Sequence, residues 1–292
     1  MRFTFETFPI SDLYGMKKTI LLALGILGIA VRGFSQYYFQ DIYNTGQTAA
    51  TMALLKANKV KTQQVMTLDA NMEQDRDFRC ERTLNPTYRQ MKTQTQSSST
   101  GYSAMTATFG PGGQLTKTVD SSGASITTTL YRYDNGGRLQ YISSTSTARD
   151  SKLRFDESRT YSYDASGNLQ QLTQRKGNDS TVVAFKTDSA GHVTEELDKR
   201  RGTRIYYNYD KAGRLTDVYR YQPAKKRMLP DYIFEYNAQG KLTKMTTVNA
   251  QTSTYTIWQY EYQANGLPLS ETCYGKGKEL LGMVKYGYEL NP

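Results

Sequence analysis

The sequence has 292 residues, a formal net charge of +10, 38% hydrophobic residues, 24 tyrosines and 10 phenylalanines. So many aromatic residues exclude a disordered chain, while the hydrophobic fraction is low for a large compact core. Because tyrosine buries area while tolerating one wet end, this composition favours thin, half-exposed β-sheets.

The chain begins with the features of a secretory signal peptide. Two lysines follow Met16, and an unbroken apolar run covers residues 20–31. A membrane-spanning helix needs about 20 apolar residues, so this run is too short to be a permanent membrane anchor. Small residues next to the end of the run predict cleavage after Ser35. We therefore assign residues 1–35 to a signal peptide that starts at Met16, and we expect an exported protein in the periplasm, on the outer surface or outside the cell.

The charge of the mature chain bears on its partners. Removal of residues 1–35 lowers the net charge from +10 to +8. A basic exported protein meets anionic lipid, sugar polymers and nucleic acid. Its basic residues are spread out except at 199–201 and 225–227, which favours an ordinary soluble surface. The partner is unknown from sequence; an envelope glycan or another surface protein is favoured over nucleic acid.

The mature chain divides into two regions. Residues 36–101 have no regular pattern and are predicted to be an irregular segment, with a short helix at 48–59 where apolar residues lie among alanines. Residues 65–72 resemble a degenerate copy of the repeat described next. The polar stretch 97–101 is typical of a linker. The second region, 102–292, is predicted to be a domain of β-hairpin repeats.

A heptapeptide recurs in the second region. Four copies follow the formula aromatic-Asp/Asn-x-x-Gly-x-Leu, and beginning at residues 133, 163, 209 and 236 they read YDNGGRL, YDASGNL, YDKAGRL and YNAQGKL. Three weaker copies keep the glycine, and the seven glycines are residues 113, 137, 167, 191, 213, 240 and 266. Such a spacing corresponds to one β-hairpin with its return strand.

The formula predicts a strand, a tight turn and a return strand. A second aromatic residue stands two positions before the motif tyrosine, as Tyr131 does before Tyr133, so both side chains project from one face of a strand. The Asp or Asn accepts a hydrogen bond from a backbone N–H two residues later and opens a type I turn. The glycine supplies the positive φ of a three-residue loop with a bulge.

This motif resembles the YD repeat of RHS-type bacterial surface and toxin proteins over residues 109–269. The resemblance implies an all-β antiparallel meander of hairpins side by side in a curved sheet. Seven copies are too few to close the large shell of those toxins, and the self-cleaving aspartate motif has no counterpart, so toxin delivery is not predicted. The aromatic face of such a sheet must be covered by the N-terminal segment, by a partner or by the sheet curling on itself.

No constellation of residues predicts catalysis, so we expect a non-enzymatic protein with no catalytic residue, cofactor or metal. His192 is the sole histidine and stands at a variable turn position, where other copies carry other polar residues. Turn geometry explains the repeated Asp134, Asp164, Asp188 and Asp210. A calcium loop needs several oxygen ligands, and each turn offers one carboxylate.

Three residues leave alternatives open. Cys80 and Cys273 are the only cysteines. They are either bridged, which would stabilise the fold by about 4 to 5 kcal/mol by closing a long loop, or separate free thiols. Trp258 lies among tyrosine-rich strands that either stack on sugars or, as is more common, form the packing layer of the sheet.

Two functional hypotheses follow. The first is an exported, non-enzymatic binding or scaffolding module of the cell envelope or the extracellular space. The second is a small outer-membrane β-barrel, because strands of about ten residues separated by turns are also its signature. Return strands such as 242–246 lack a continuous apolar band, which weighs against the second hypothesis.

Overall fold

The protein is a closed β-barrel. The computed structural model describes residues 36–98, 100–250 and 252–292, and within them 18 antiparallel strands form one sheet in which strands adjacent in sequence pair. The first strand pairs with the last as well as with the second. The predicted all-β antiparallel meander is therefore confirmed, but the open curved sheet is wrong because the sheet closes on itself.

The strands are β1 (Val60–Leu68), β2 (Arg79–Leu84), β3 (Gln90–Ser97), β4 (Gly101–Phe109), β5 (Leu115–Ser121), β6 (Ser125–Tyr133), β7 (Leu139–Ala148), β8 (Arg154–Tyr163), β9 (Leu169–Lys176), β10 (Asp179–Thr187), β11 (Val193–Asp198), β12 (Arg204–Tyr209), β13 (Leu215–Gln222), β14 (Arg227–Tyr236), β15 (Leu242–Asn249), β16 (Thr254–Tyr262), β17 (Pro268–Tyr274) and β18 (Leu280–Leu290). A π-helical segment, Tyr38–Tyr43, leads into the helix α1, Asn44–Ala57. A 3-10 turn, Pro223–Lys225, joins β13 to β14.

Closure depends on strands that the sequence pattern did not reveal. β1, β2 and β3 all lie between residues 36 and 101, the segment predicted to be irregular. β3 pairs directly with β4 through Ser97 and Gly101, the two ends of the predicted linker. The predicted short helix is present, although it begins at Asn44 rather than at Thr48. Strands from both predicted regions therefore belong to one barrel.

The apolar face of the wall is its inner face. Successive side chains of a strand alternate between the two faces, and in β3 Met91 and Thr93 are buried inside the barrel while Gln90 and Lys92 are exposed outside. β8 repeats the pattern, with Tyr161 buried between the exposed Thr160 and Ser162. The hydrophobic core of the protein thus fills the lumen.

Residues 36–57 lie inside this lumen, and we call them the plug. Tyr38 packs edge-on against a tyrosine of β12, and Phe39 stacks on a tyrosine of β14, each with 5.0 Å between ring centroids. Further along the plug, Met52 and Leu55 join a buried cluster with side chains of β2, β3, β4 and β5. The aromatic face is therefore covered both by closure of the sheet and by the N-terminal segment.

The two cysteines are not bridged. Cys80 and Cys273 are buried free thiols that belong to one hydrophobic cluster. β18 and β1 lie between their strands, so three strand spacings place them about 14 Å apart. A disulfide requires Cα atoms within about 7 Å. The bridged alternative is wrong.

Two expectations concern membrane and export signals. The predicted signal peptide, residues 1–35, lies outside the described residues. Within the part of the chain that is described, no helix is long and apolar enough to cross a membrane.

Candidate functional site

All seven motif turns lie at one end of the barrel, which we call the motif rim. Their glycines all have positive φ, between 75° and 89°. Asp134 Oδ1 accepts hydrogen bonds from the backbone N–H groups of Gly136 and Arg138, each at 2.9 Å. The aspartates of three other copies do the same. These contacts confirm the predicted turn register and the structural role of the aspartates.

The motif tyrosine joins each hairpin to the preceding one. The Tyr163 hydroxyl donates a hydrogen bond of 2.7 Å to the backbone oxygen of Leu139, the leucine of the preceding copy. The same contact is made by Tyr133, Tyr209, Tyr236 and Tyr262. Composition indicated only that the tyrosine hydroxyls tolerate water. In the structure these hydroxyls form a regular link around the barrel.

This link predicts the effect of removing one hydroxyl. Tyr163→Phe leaves the Leu139 carbonyl without its partner, so we expect a loss of about 1 to 3 kcal/mol in the free energy of unfolding, measured in urea. Tyr221→Phe removes a hydroxyl from an exposed ring and should change stability by less than about 0.5 kcal/mol. Equal losses in the two variants would contradict a role for the link.

The side chain of the variable residue before the motif leucine covers the ring of the motif tyrosine in the next copy. The guanidinium of Arg138 lies 4.7 Å from the ring centroid of Tyr163, and the His192 ring stacks on Tyr209 at 4.8 Å. Arg214 and Lys241 cover Tyr236 and Tyr262 in the same way. Sequence reasoning treated this position as solvated and missed the contact. The recurrence of a long or flat side chain at this position, one copy before each tyrosine, could have indicated the contact.

A comparison of two motif glycines separates the contact with this covering side chain from the cost of a positive φ. Gly137 and Gly167 have φ of 78° and 86°, so alanine at either costs about 1 to 2 kcal/mol. A Cβ at Gly167 would also lie 2.7 Å from a guanidinium nitrogen of Arg138, whereas nothing lies within 4 Å at Gly137. We expect Gly167→Ala to destabilise more, by about a further 0.5 to 1 kcal/mol in urea unfolding. A larger loss for Gly137→Ala would refute the contact.

Glu196 of β11 holds the start of the plug. Its carboxylate accepts the backbone N–H groups of Tyr37 at 3.1 Å and Tyr38 at 3.0 Å, and the Tyr207 hydroxyl at 2.9 Å. An acidic group suits the N-terminal end of a helix, where N–H groups have no helical partner. Burial nevertheless raises the pKa of Glu196 to about 7, since the three hydrogen bonds only partly offset the loss of water.

Two further acidic contacts fix the plug to the wall. Asp41 of the plug lies 2.6 Å from the Arg159 guanidinium of β8 and accepts a hydrogen bond from the Tyr161 hydroxyl. The side-chain amide of Gln36 donates to Asp231 of β14 at 2.7 Å. Since β8 and β14 lie on different sides of the lumen, these contacts hold the plug across the barrel.

A cavity of about 800 Å³ remains between the plug and strands β12–β17. Its lining is largely aromatic and aliphatic and includes Phe39, Tyr43, Phe234, Leu242, Met245 and Tyr260. It reaches the motif rim, because the turn glycines 213, 240 and 266 also line it. Volume and lining are those of a small-molecule binding site.

The rim of the cavity carries one cation without a carboxylate partner. Arg214 is paired with Asp210 of its own turn at 2.6 Å. In the next copy Asn237 replaces the aspartate, and no ion pair is formed by Lys241 among the described residues. Glu261 also lines the cavity, where it accepts a hydrogen bond of 2.7 Å from a serine hydroxyl.

Behind the lining of the cavity lies the buried carboxyl group of Glu271. Glu271 Oε1 accepts a hydrogen bond of 2.5 Å from the Tyr286 hydroxyl, whereas the buried Oε2 has no hydrogen-bond partner among the residues that the structure describes. Burial raises the pKa of Glu271, and the charge of nearby Arg82 only partly offsets it.

The other residues singled out in the sequence make contacts that support the fold. His192 Nδ1 lies 3.1 Å from Asp188 Oδ2, and the ring reaches the edge of the cavity. Trp258 packs against two core clusters, which confirms the packing interpretation. Among the described residues, no group of three His, Cys, Asp or Glu side chains could hold a metal ion.

The sequence matches no protein-family model and no curated protein. Similar solved structures include TcdB2-TccC3-TEV, 12% identical with a TM-score of 0.32 over 73% of this chain and 12% of that chain. They also include a porin-like protein from Bacteroides uniformis, 11% identical with a TM-score of 0.38 over 80% of this chain and 97% of that one. A porin-like protein from Bacteroides vulgatus is 14% identical with a TM-score of 0.30 over 80% and 98%. This chain spans about an eighth of the TcdB2-TccC3-TEV chain.

The architecture discriminates between the two functional hypotheses. Within the described residues the sheet is closed and has 18 strands. Closure supports the β-barrel hypothesis over an open repeat scaffold.

Proposed function

We propose that this protein is an exported, non-enzymatic barrel of YD-type repeats that binds a small molecule with a large apolar surface in its lumen. The observation that carries the proposal is the cavity between the plug and β12–β17. Its volume lies within the range of about 300 to 1,000 Å³ typical of ligand sites. The motif side chains support a binding rather than a catalytic role, because the turns and the contacts between copies already use them.

The outer face of the wall supports an aqueous location in the cell envelope. A barrel in a lipid bilayer presents an outward apolar band about 25 Å tall. Here β3 presents Gln90, Lys92 and Gln96 outward, and β8 presents Asp156 and Thr160. Such side chains suit water. We therefore propose a water-filled compartment of the envelope, with the outer-membrane barrel as the second candidate, favoured by the closed 18-stranded architecture.

Fractionation of the producing cells distinguishes the two locations. A barrel with a polar outer wall should be released with the soluble envelope fraction and remain soluble without detergent. Recovery only from the outer membrane, and only with detergent, would support the second candidate instead. A mature N-terminus at Gln36 is expected in either case, and N-terminal sequencing tests it.

Lumenal binding can be tested with the neutral fluorescent probe N-phenyl-1-naphthylamine. The wild-type protein should bind it with a saturable rise in fluorescence. Thr51→Trp places an indole from α1 into the cavity and should abolish most of that rise. Ala50→Trp, at an exposed neighbouring position, is the matched control. Equal binding by the two variants, or none by wild type, would refute the lumenal site.

A further inference from the structure

We propose that the end of the barrel opposite the motif rim is a docking surface for membranes of anionic phospholipid. In an antiparallel meander, successive hairpin turns alternate between the two ends of the barrel. The turns without the motif therefore lie together at the second end, which we call the far rim. Docking there leaves the outer wall in water and does not require a lumenal ligand.

Four consecutive turns of the far rim form a basic arc. They join β7 to β8, β9 to β10, β11 to β12 and β13 to β14, so they follow one another around the barrel. Successive turns are two strand spacings apart, which makes the arc about 30 Å long along the wall. Clusters 199–201 and 225–227, which are separate in the sequence, are therefore neighbours on one surface. The exposed cations of the arc are Arg149, Lys152, Arg154, Arg175, Lys176, Lys199, Arg200, Arg201, Lys226 and Arg227.

Few carboxylates balance the charge of this basic arc. Arg154 pairs with Asp156 at 2.9 Å, and Arg200 lies 3.7 Å from Asp179. Asp150 is one further exposed carboxylate in the same turns. The exposed cations that form no ion pair among the described residues include Lys152, Lys176, Lys199, Lys226 and Arg227. The arc thus has a large excess of positive charge, which is complementary to anionic head groups.

The opposite side of the far rim has the opposite charge. The turn between β1 and β2 lies across the barrel from the basic arc, and its residues 69–77 hold four carboxylates and one cation, Arg76. A negatively charged surface would attract the arc and repel this turn. The far rim therefore has one side suited to contact with an anionic membrane.

Exposed apolar side chains accompany the cations of the arc. Leu153 in the first of its turns is 60% exposed, and Phe155 is 55% exposed. Tyr221 and Met228, which pair across β13 and β14 beside the last turn, are 51% and 42% exposed. Apolar side chains among cations suit a lipid surface, where they enter the boundary between head groups and acyl chains. Nucleic acid offers phosphates without such a boundary, so the aliphatic side chains favour lipid.

Vesicle binding by the intact mature protein tests this docking. At low salt, vesicles of phosphatidylglycerol and phosphatidylcholine should bind it at least about tenfold more tightly than vesicles of phosphatidylcholine alone. High salt should release the protein without detergent, because it screens exposed charges. Equal binding to the two kinds of vesicle, or binding to neither, would overturn the proposal. Binding to a DNA duplex but to neither vesicle would identify a nucleic-acid surface instead. Lumenal binding of naphthylamine is measured without lipid, so the two proposals fail separately.

Two double variants locate the contact. Lys199→Gln with Lys226→Gln removes two exposed charges from neighbouring turns of the arc, and should weaken binding to the phosphatidylglycerol vesicles by about thirtyfold. Lys92→Gln with Lys117→Gln removes the same charge from exposed positions on β3 and β5, and should weaken it by less than about threefold. Equal losses would show that net charge rather than the arc drives binding, and would refute the docking surface.

A tryptophan reporter separates insertion into lipid from contact between charges alone. Leu153→Trp should give a blue shift in fluorescence when the protein binds phosphatidylglycerol vesicles. Leu290→Trp makes the same substitution at an exposed position where β18 ends at the motif rim, and should give none. Trp258 is present in both proteins and cancels in the comparison. Vesicle binding without a shift in the Leu153→Trp protein would contradict docking through the apolar side chains.

Discussion

Asp41→Ala is expected to lower the free energy of unfolding by about 3 kcal/mol, because it leaves the charge of Arg159 inside the barrel without its plug partner. Asp41 and Arg159 side chains are 8% and 23% exposed and 2.6 Å apart. The buried Tyr161 hydroxyl loses its acceptor at the same time. Glu157 remains 2.6 Å from Arg159 and limits the loss.

The matched control is Asp156→Ala. It makes the same substitution in the pair with Arg154, whose side chains are both more than half exposed. Exposed ion pairs contribute about 0 to 1 kcal/mol. Urea denaturation of the two variants gives the comparison. If Asp41→Ala proved no more destabilising than Asp156→Ala, the plug would not be held by this contact.

Glu196→Gln is expected to flatten the pH dependence of stability. The pKa of Glu196 is raised to about 7, above the value of 4.5 that a free glutamic acid has. Such a group contributes stability that is fully present below pH 4.5 and is lost as pH rises through about 7. A shift of this size corresponds to about 3 kcal/mol at 1.36 kcal/mol per pKa unit. Wild type should therefore lose more stability than the variant between pH 5 and pH 8.

The comparison isolates this one carboxyl group. The raised pKa of Glu271 acts in the same direction, but it is present in both proteins and cancels in the difference. Urea unfolding at several pH values supplies the two curves. Parallel curves would show that burial does not disfavour the charged form of Glu196, and would remove the basis for the expected effect.

Local features of the repeats were predictable from sequence. The motif turn is set by residues within five positions of one another, so Asp210 and Gly213 predict it without any knowledge of the rest of the fold. The direction of the return strand follows from the turn. That is why the register of the hairpins was correct and the open curved sheet was the natural extension.

Closure could not be predicted in the same way. The inward face of β1 and β3 includes Gln63, Thr67 and Thr93, all buried. Because so many of the inward residues are polar, these strands give only a weak periodic hydrophobic signal. Pairing of β1 with β18 is also a contact between distant parts of the chain. Sequence spacing alone says nothing about such a contact.

Only part of the candidate site could be predicted from the sequence. Asn237 departs from the motif aspartate, and that departure could have drawn attention to Lys241. Glu196 and Glu271 gave no such signal, because each stands in an ordinary strand sequence. Their roles depend on which side chains the closed barrel places against them.

The seam between β1 and β18 has a kinetic consequence. Val65 and Tyr286 pair across it although more than 200 residues separate them in the chain, whereas the other strands pair with sequence neighbours and can form hairpins quickly. The seam is therefore the last pairing to form. Because the plug precedes β1, it must enter the lumen before that final pairing if the barrel is to close filled rather than around an empty lumen.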